Sequence, residues 1–251
     1  MERRQYSNPP IQEAVCEVRF APGPNADFSA PGRFYEKIRQ FYDGQPRHQQ
    51  VVATEVQVAA DPASRRLSMQ QGVTKILFPT ADGRRIVGLS QNLLSIHELR
   101  PYSVWESFRQ RIESGLRAYE EVDKPAGIRQ IALRYINRIA IRSPKVHLGE
   151  YLTVAPHLPD SIPVTIAGFL WRLETVYNDR PMRLLLTAAS APSTGPDEVA
   201  FLLDIEVRSE WTEPMLPVSA APGQVDELHQ RAQSAFEAFI TDRTREVFHA
   251  Q

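Results

Sequence analysis

The chain reads as an α+β protein: a large, mainly antiparallel sheet with two long helices, 101–122 and 225–249, packed on one face. Three observations lead there. Segments with period-two alternation follow one another through tight turns, without the intervening helices that a parallel sheet needs. Two long amphipathic stretches carry apolar residues at spacings of three and four. The order strand, segment, meander, long helix comes once in residues 1–124 and again in 125–251, so the single domain of 251 residues admits two similar halves.

Taken in order, Pro9 and Pro10 bar a helix, and strict alternation begins after them. Ala14, Cys16, Val18 and Phe20 point one way; Glu13, Val15, Glu17 and Arg19 point the other. Ser29-Ala30-Pro31 opens a helix with proline in its first turn, Phe34, Ile38, Phe41 and Tyr42 form its stripe, and Gly44 ends it. Short strands are expected at 51–59, 66–71, 75–79, 85–91 and 93–99, with a hairpin turn at Asp82-Gly83. Ser103 and Glu106 have the spacing of a capping box. The helix they open is lined by Trp105, Phe108, Ile112, Leu116 and Tyr119.

The second half starts with a long strand, 128–142, then a short helix near 149–154 and strands at 165–177, 182–188 and 198–210. Its closing helix carries Val225, Leu228, Ala232, Ala235, Phe236, Phe239 and Val247 on one stripe.

Composition excludes several classes. Hydrophobic residues at 42% and charged residues at 24% are the proportions of an ordinary globular protein. With 29 basic against 30 acidic residues the net charge is −1, which argues against broad binding to nucleic acid or an anionic membrane. The one cysteine, Cys16, permits no intramolecular disulfide and no cysteine-based zinc site, and its apolar neighbours make it a small buried hydrophobe. The first residues lack the apolar core of a signal peptide, and no run of 18 apolar residues occurs. A cytoplasmic protein is expected.

The charged strand faces are where a function would sit. Arg134, Arg138 and Arg142 share a face of the long strand with Ile136 and Ala140, at steps of about 13 Å. Such guanidinium groups can clamp phosphate or carboxylate bidentately. They can equally pair across strands with the acids available, since Glu17 and Arg19, Arg172 and Glu174, and Asp204, Glu206 and Arg208 alternate in the same way. Both readings stay open here. Asn137, among Tyr135, Ile139 and Ile141, is a buried amide that needs hydrogen-bond partners and reads as a tie for a bulge or loop. Asp204 with Glu206, and Glu13 with Glu17, have same-face spacing that can hold Mg²⁺. Such pairs arise readily by chance, and no metal site is assigned. The six histidines show no ligand spacing, and no nucleophile elbow, phosphate loop or dinucleotide fingerprint occurs. No catalytic residue and no cofactor follow from the sequence.

Asn8-Pro9-Pro10-Ile11-Gln12-Glu13-Ala14-Val15, the strand-turn-strand at 76–89, Arg134-Tyr135-Ile136-Asn137-Arg138-Ile139 and Leu203-Asp204-Ile205 together resemble a sporadically distributed family of uncharacterised bacterial proteins of about this length. The resemblance spans nearly the whole chain. It implies a bacterial cytoplasmic protein, suggests a mobile-element or defence neighbourhood, and assigns no activity or residue role. The alternating charged strands are also distantly similar to the triphosphate-tunnel enzymes, which open with Glu-x-Glu-x-Lys and line a closed barrel with basic residues. Here only Glu17-x-Arg19 matches, Val15 stands where the other acid belongs, and the basic surplus is missing.

The expectation is a non-catalytic module that binds a protein partner or forms a homodimer. Surplus apolar residues such as Phe169, Trp171, Leu184 to Leu186 and Trp211 motivate it. The alternative is a phosphate- or nucleotide-processing enzyme working through the strand arginines and acids.

Overall fold

Two neighbouring strands, β1 (Ile11–Ala21) and β8 (Gly127–Arg142), form the centre of a nine-stranded antiparallel sheet. The computed structural model describes residues 6–24, 27, 29–51, 54–56, 67–69, 73–143, 146–159, 161 and 166–248. The other strands are β2 (Arg47–Val51), β5 (Val73–Pro79), β6 (Arg85–Ser90), β7 (Leu93–Leu99), β9 (Leu170–Val176), β10 (Met182–Ala191) and β11 (Glu198–Glu210). The sheet order is β2-β5-β6-β7-β1-β8-β11-β10-β9, and β3 (Thr54–Val56) with β4 (Leu67–Met69) forms a separate two-stranded sheet. Outward from the central pair, β7, β6 and β5 mirror β11, β10 and β9. Each meander begins three strands out and steps back to the middle. Beyond β5 lies β2; among the described residues no strand lies beyond β9.

Alternation gives the sheet one apolar face. Ala14, Cys16, Val18 and Phe20 are buried, with Leu133, Ile139, Leu203, Ile205 and Val207 of the neighbouring strands. One core joins them to the stripes of α2 (Trp105–Asp123) and α3 (Ala221–Phe239) and to Phe34 of α1 (Ala30–Ile38). Fully burying such side chains stabilises the fold by about 1.5–3 kcal/mol each. The hairpin at Asp82-Gly83 forms as its residues require, with Gly83 at φ 68°.

Several boundaries differ from those read in the sequence. The capping box at Ser103 does not form: Val104 occupies the N-cap, and the Ser103 amide donates instead to the buried Glu98 carboxylate at 3.2 Å. The closing helix is not continuous from 225 to 249. It starts earlier, at Ala221, with proline in its first turn, and breaks at Ile240, whose extended backbone bridges to Leu152. Thr241 then caps α4 (Asp242–Val247), its side chain accepting from the Thr244 amide. The β-branched pair Ile240-Thr241 prefers this extended step and cap to two more helical residues. The short helix near 149–154 is a single 3₁₀ turn at Leu148–Glu150. Phe41 is 65% exposed and leaves its expected stripe, because α1 ends at Ile38. The strand expected from 165 begins at Leu170, and parts of the strands expected at 51–59 and 66–71 lie outside the described residues. Among the described residues no helix is long and apolar enough to cross a membrane.

Candidate functional site

The face of the sheet opposite the core carries the residues singled out above. Arg134 closes on Asp204 as a fork, Nε to Oδ1 at 2.8 Å and a terminal nitrogen to Oδ2 at 2.5 Å. Glu206 stands across the ladder from Arg134, and burial pushes its carboxyl above the usual range despite the nearby Arg134 and Arg208. Glu17 accepts from Lys75 at 2.6 Å. The two meet across β6 and β7, where Gly88 and Ser95 offer no bulk beside Glu17. Burial alone raises the Glu17 carboxyl, but Lys75, Arg19 and His97 outweigh it and hold the group below its ordinary value.

Arg138 donates to Glu198 at 2.7 Å and to the Pro192 carbonyl at 2.9 Å. Glu198 also accepts from the Thr194 amide, and these hydrogen bonds draw its carboxyl down to about 2. Arg208 reaches Glu174 at 3.0 Å, and Glu13 meets His97 at 2.8 Å.

The sequence-derived residues therefore fall into three places. Arg134, Asp204, Glu206 and Glu17 lie together at the middle of the face. Arg19 is exposed at one end, opposite Gln130. Arg138 and Arg142 lie toward the other end, where they line a cleft of about 500 Å³ with Arg100, Asn8, Pro10 and Glu198. Glu198 and Lys75 had no signal in the sequence, because their partners Arg138 and Glu17 lie 60 and 58 residues away along the chain, and Arg100 joins them only through the cleft it lines. The cleft joins the Asn8-Pro9-Pro10 segment to the arginine strand: the Arg138 amide donates to the Pro10 carbonyl at 2.9 Å.

A second cavity, about 450 Å³, opens on the apolar side beside Tyr102, Trp105, Tyr135, Asn137 and His229. The His229 ring stacks on Trp105 with centroids 3.8 Å apart, and its Nδ1 shares a 2.9 Å hydrogen bond with the Tyr135 hydroxyl. Burial, with Tyr102 alongside, raises the Tyr135 hydroxyl well above its usual value, so it stays protonated. Asn137, only 2% exposed, donates to the Leu203 carbonyl at 3.0 Å and the Tyr135 carbonyl at 3.3 Å. It sits opposite the register shift between Ile11 and Glu13 of β1, but its amide bonds to β8 and β11, on the side away from that bulge.

β9 ends the sheet with a mixed edge, where apolar residues stand exposed beside Arg172, Glu174 and Thr175. Leu170, Leu173 and Val176 are 74%, 41% and 61% exposed. Among the described residues no group of three or more histidine, cysteine, aspartate or glutamate side chains is placed to hold a metal ion. Neither a protein-family model nor a curated protein sequence matches this chain.

Proposed function

We propose that the protein is a non-catalytic module that works by association, with itself or with a protein partner, in a bacterial cytoplasm. The observation that carries this reading is the edge strand β9, which presents Leu170, Leu173 and Val176 to solvent. Edge strands are ordinarily blunted by charge, proline or a covering segment, because their free amides and carbonyls recruit other strands. The opposite edge is polar, with Arg47, His48 and Gln49 exposed along β2, whereas β9 interleaves its three exposed apolar residues with Arg172 and Glu174. The reading takes the two long helices to pack together on the apolar face, which leaves β9 and the charged face for contacts. Ion pairing on that face supports it as well: Arg134, Arg138 and Arg208 each hold a carboxylate of their own sheet, as ladder members do.

A second reading, anion binding, is favoured by one specific observation. Arg100 and Arg142 line the same cleft as Arg138 and have no carboxylate within ion-pair distance among the described residues. A triphosphate tunnel would need a closed barrel, whereas this sheet is open, with β2 and β9 as its edges.

Light scattering at ~50 µM, well above micromolar dissociation constants, tests the first reading and is expected to give a dimer. Only monomer there would sink self-association and leave binding to a different protein as the remaining form of the reading. Millimolar phosphate, triphosphate or ATP with Mg²⁺ is expected to leave the melting temperature unchanged. A rise that disappears in Arg100→Gln/Arg142→Gln would promote the anion-binding reading instead.

A further inference from the structure

We infer that β9 pairs with β9 of a second copy of this chain, antiparallel about a two-fold axis at Leu173, to make one continuous sheet. The inference rests on the self-association reading above and names its surface and its register.

Hydrogen-bond parity fixes which groups are free. The Tyr177 amide donates to the Met182 carbonyl at 2.9 Å, and the Ser190 amide donates to the Phe169 carbonyl at 2.9 Å. The odd-numbered residues from 169 to 177 thus turn their backbone polar groups toward β10. Leu170, Arg172, Glu174 and Val176 turn theirs outward, on an edge where every residue except Trp171 is exposed.

A two-fold antiparallel pairing must set outward residues against outward residues, so its centre falls on a residue rather than between two. Three centres near the middle of β9 satisfy this. Centred on Arg172, two like charges meet and Leu170 faces Glu174. Centred on Glu174, two carboxylates meet and Arg172 faces Val176. Centred on Leu173, Arg172 faces Glu174 twice, Leu170 faces Val176 twice, and Leu173 meets its own copy. Only the last is complementary throughout. An axis normal to the sheet keeps each face with its counterpart, so the charged pairs extend the ladder already present. Glu174 is oriented there by Arg183 at 3.1 Å and Arg208 at 3.0 Å, while Arg172 has no carboxylate of its own among the described residues.

The topology points the same way. β9 holds the place in the second meander that β5 holds in the first, and β5 has β2 on its outer edge. In the dimer the second copy's β9 fills the equivalent place, and closed two-fold dimers are the commonest soluble assembly.

The test is a cysteine cross-link together with a charge swap. In this register Leu173→Cys forms a non-hydrogen-bonded pair with Cα atoms about 4.5 Å apart, within the disulfide range of about 4.4–6.8 Å. In the other two registers the thiols are two residues out of step, about 7 Å further along the strand. The only native cysteine, Cys16, is buried, so a disulfide-linked dimer under mild oxidation reports position 173. Arg172→Glu and Glu174→Lys should each weaken self-association roughly 10–100-fold, because both copies of the charge pair turn repulsive. Mixed in equal amounts, the two variants should restore a dimer, since every cross-strand pair is then opposite in sign. Circular dichroism spectra that match the wild type for both variants exclude misfolding as the cause. A wild-type dimer that Arg172→Glu leaves intact, with no cross-link at 173, overturns this interface and leaves self-association standing. A wild-type monomer removes both.

Discussion

Arg134 stands directly across the ladder from Glu206, yet its guanidinium closes on Asp204, one step diagonally along β11. A planar fork is satisfied best by one carboxylate that takes both of its parallel N–H groups. The choice leaves two carboxylates with opposite fates on one face. Asp204 is held in a bidentate pair, and Glu206, half-buried and without the fork, has its carboxyl raised.

Glu206→Gln is therefore expected to leave the melting temperature at pH 7 unchanged or higher. A carboxyl whose folded-state pKa is raised adds stability in its protonated form. That contribution is complete below the ordinary value of 4.5 and is lost as pH rises through the folded value. The advantage of the glutamine variant should thus narrow as pH falls to about 4.5. Melting curves at several pH values check it; a variant clearly less stable than wild type at pH 7 would contradict the raised carboxyl.

Removing Arg134 should destabilise the protein only modestly, by about 1 kcal/mol, because the guanidinium is half-exposed and exposed pairs are worth little. In a chain of this size that is a fall of roughly 2–4 °C. Arg134→Gln/Asp204→Asn should recover part of the loss, since the double change leaves no unpaired carboxylate. A double-mutant cycle by thermal melting measures both, and a loss several times larger would show that the arginine does more than pair.

Glu198 behaves oppositely to Glu206. Its carboxyl is lowered from 4.5 to about 2 by Arg138 and the Thr194 amide, so its stabilising effect is full above 4.5 and fades as pH falls toward 2. Wild type should melt above Glu198→Gln at pH 7, and the two curves should converge in that acid window. A direct check is the carboxyl titration by NMR, where a midpoint near 4.5 would refute the assignment.

Asn137→Leu fills the same space but removes donors to the Leu203 and Tyr135 carbonyls, so it should cost roughly 1–3 kcal/mol. Chemical denaturation decides it. An unchanged midpoint would mean that the two bonds to β8 and β11 add nothing to stability.

Much of the fold follows from local pattern. Alternation in Ala14–Phe20 and Leu133–Ile141 is a property of neighbouring residues, and period two divides the charged from the apolar face whatever strand lies alongside. The stripe Trp105, Phe108, Ile112, Leu116, Tyr119 marks a helix for the same reason, and all five residues are buried. Helix ends were less legible. Ser103 offers a capping box, but the Glu98 carboxylate, five residues back on β7, takes its amide. The apolar spacing runs on through Ile240, but its bridge to Leu152 holds it extended.

What the sequence determined by itself was the strongly periodic elements, the two faces of their strands and the charges they carry, because these depend on contacts a few residues apart. β2 (Arg47–Val51) and the break at Ile240 were not legible there. Tertiary structure alone decided which charges meet. Lys75 and Glu17 are 58 residues apart and Arg138 and Glu198 are 60, and nothing local encodes the strand order that joins them. The same holds for the edge. Leu170-Trp171-Arg172-Leu173-Glu174-Thr175-Val176 reads as an ordinary strand in the chain, and only the order of the sheet puts it last, with its backbone groups turned outward. Pairing is non-local: a strand's own residues set its faces, and its neighbours set which of its edges is free.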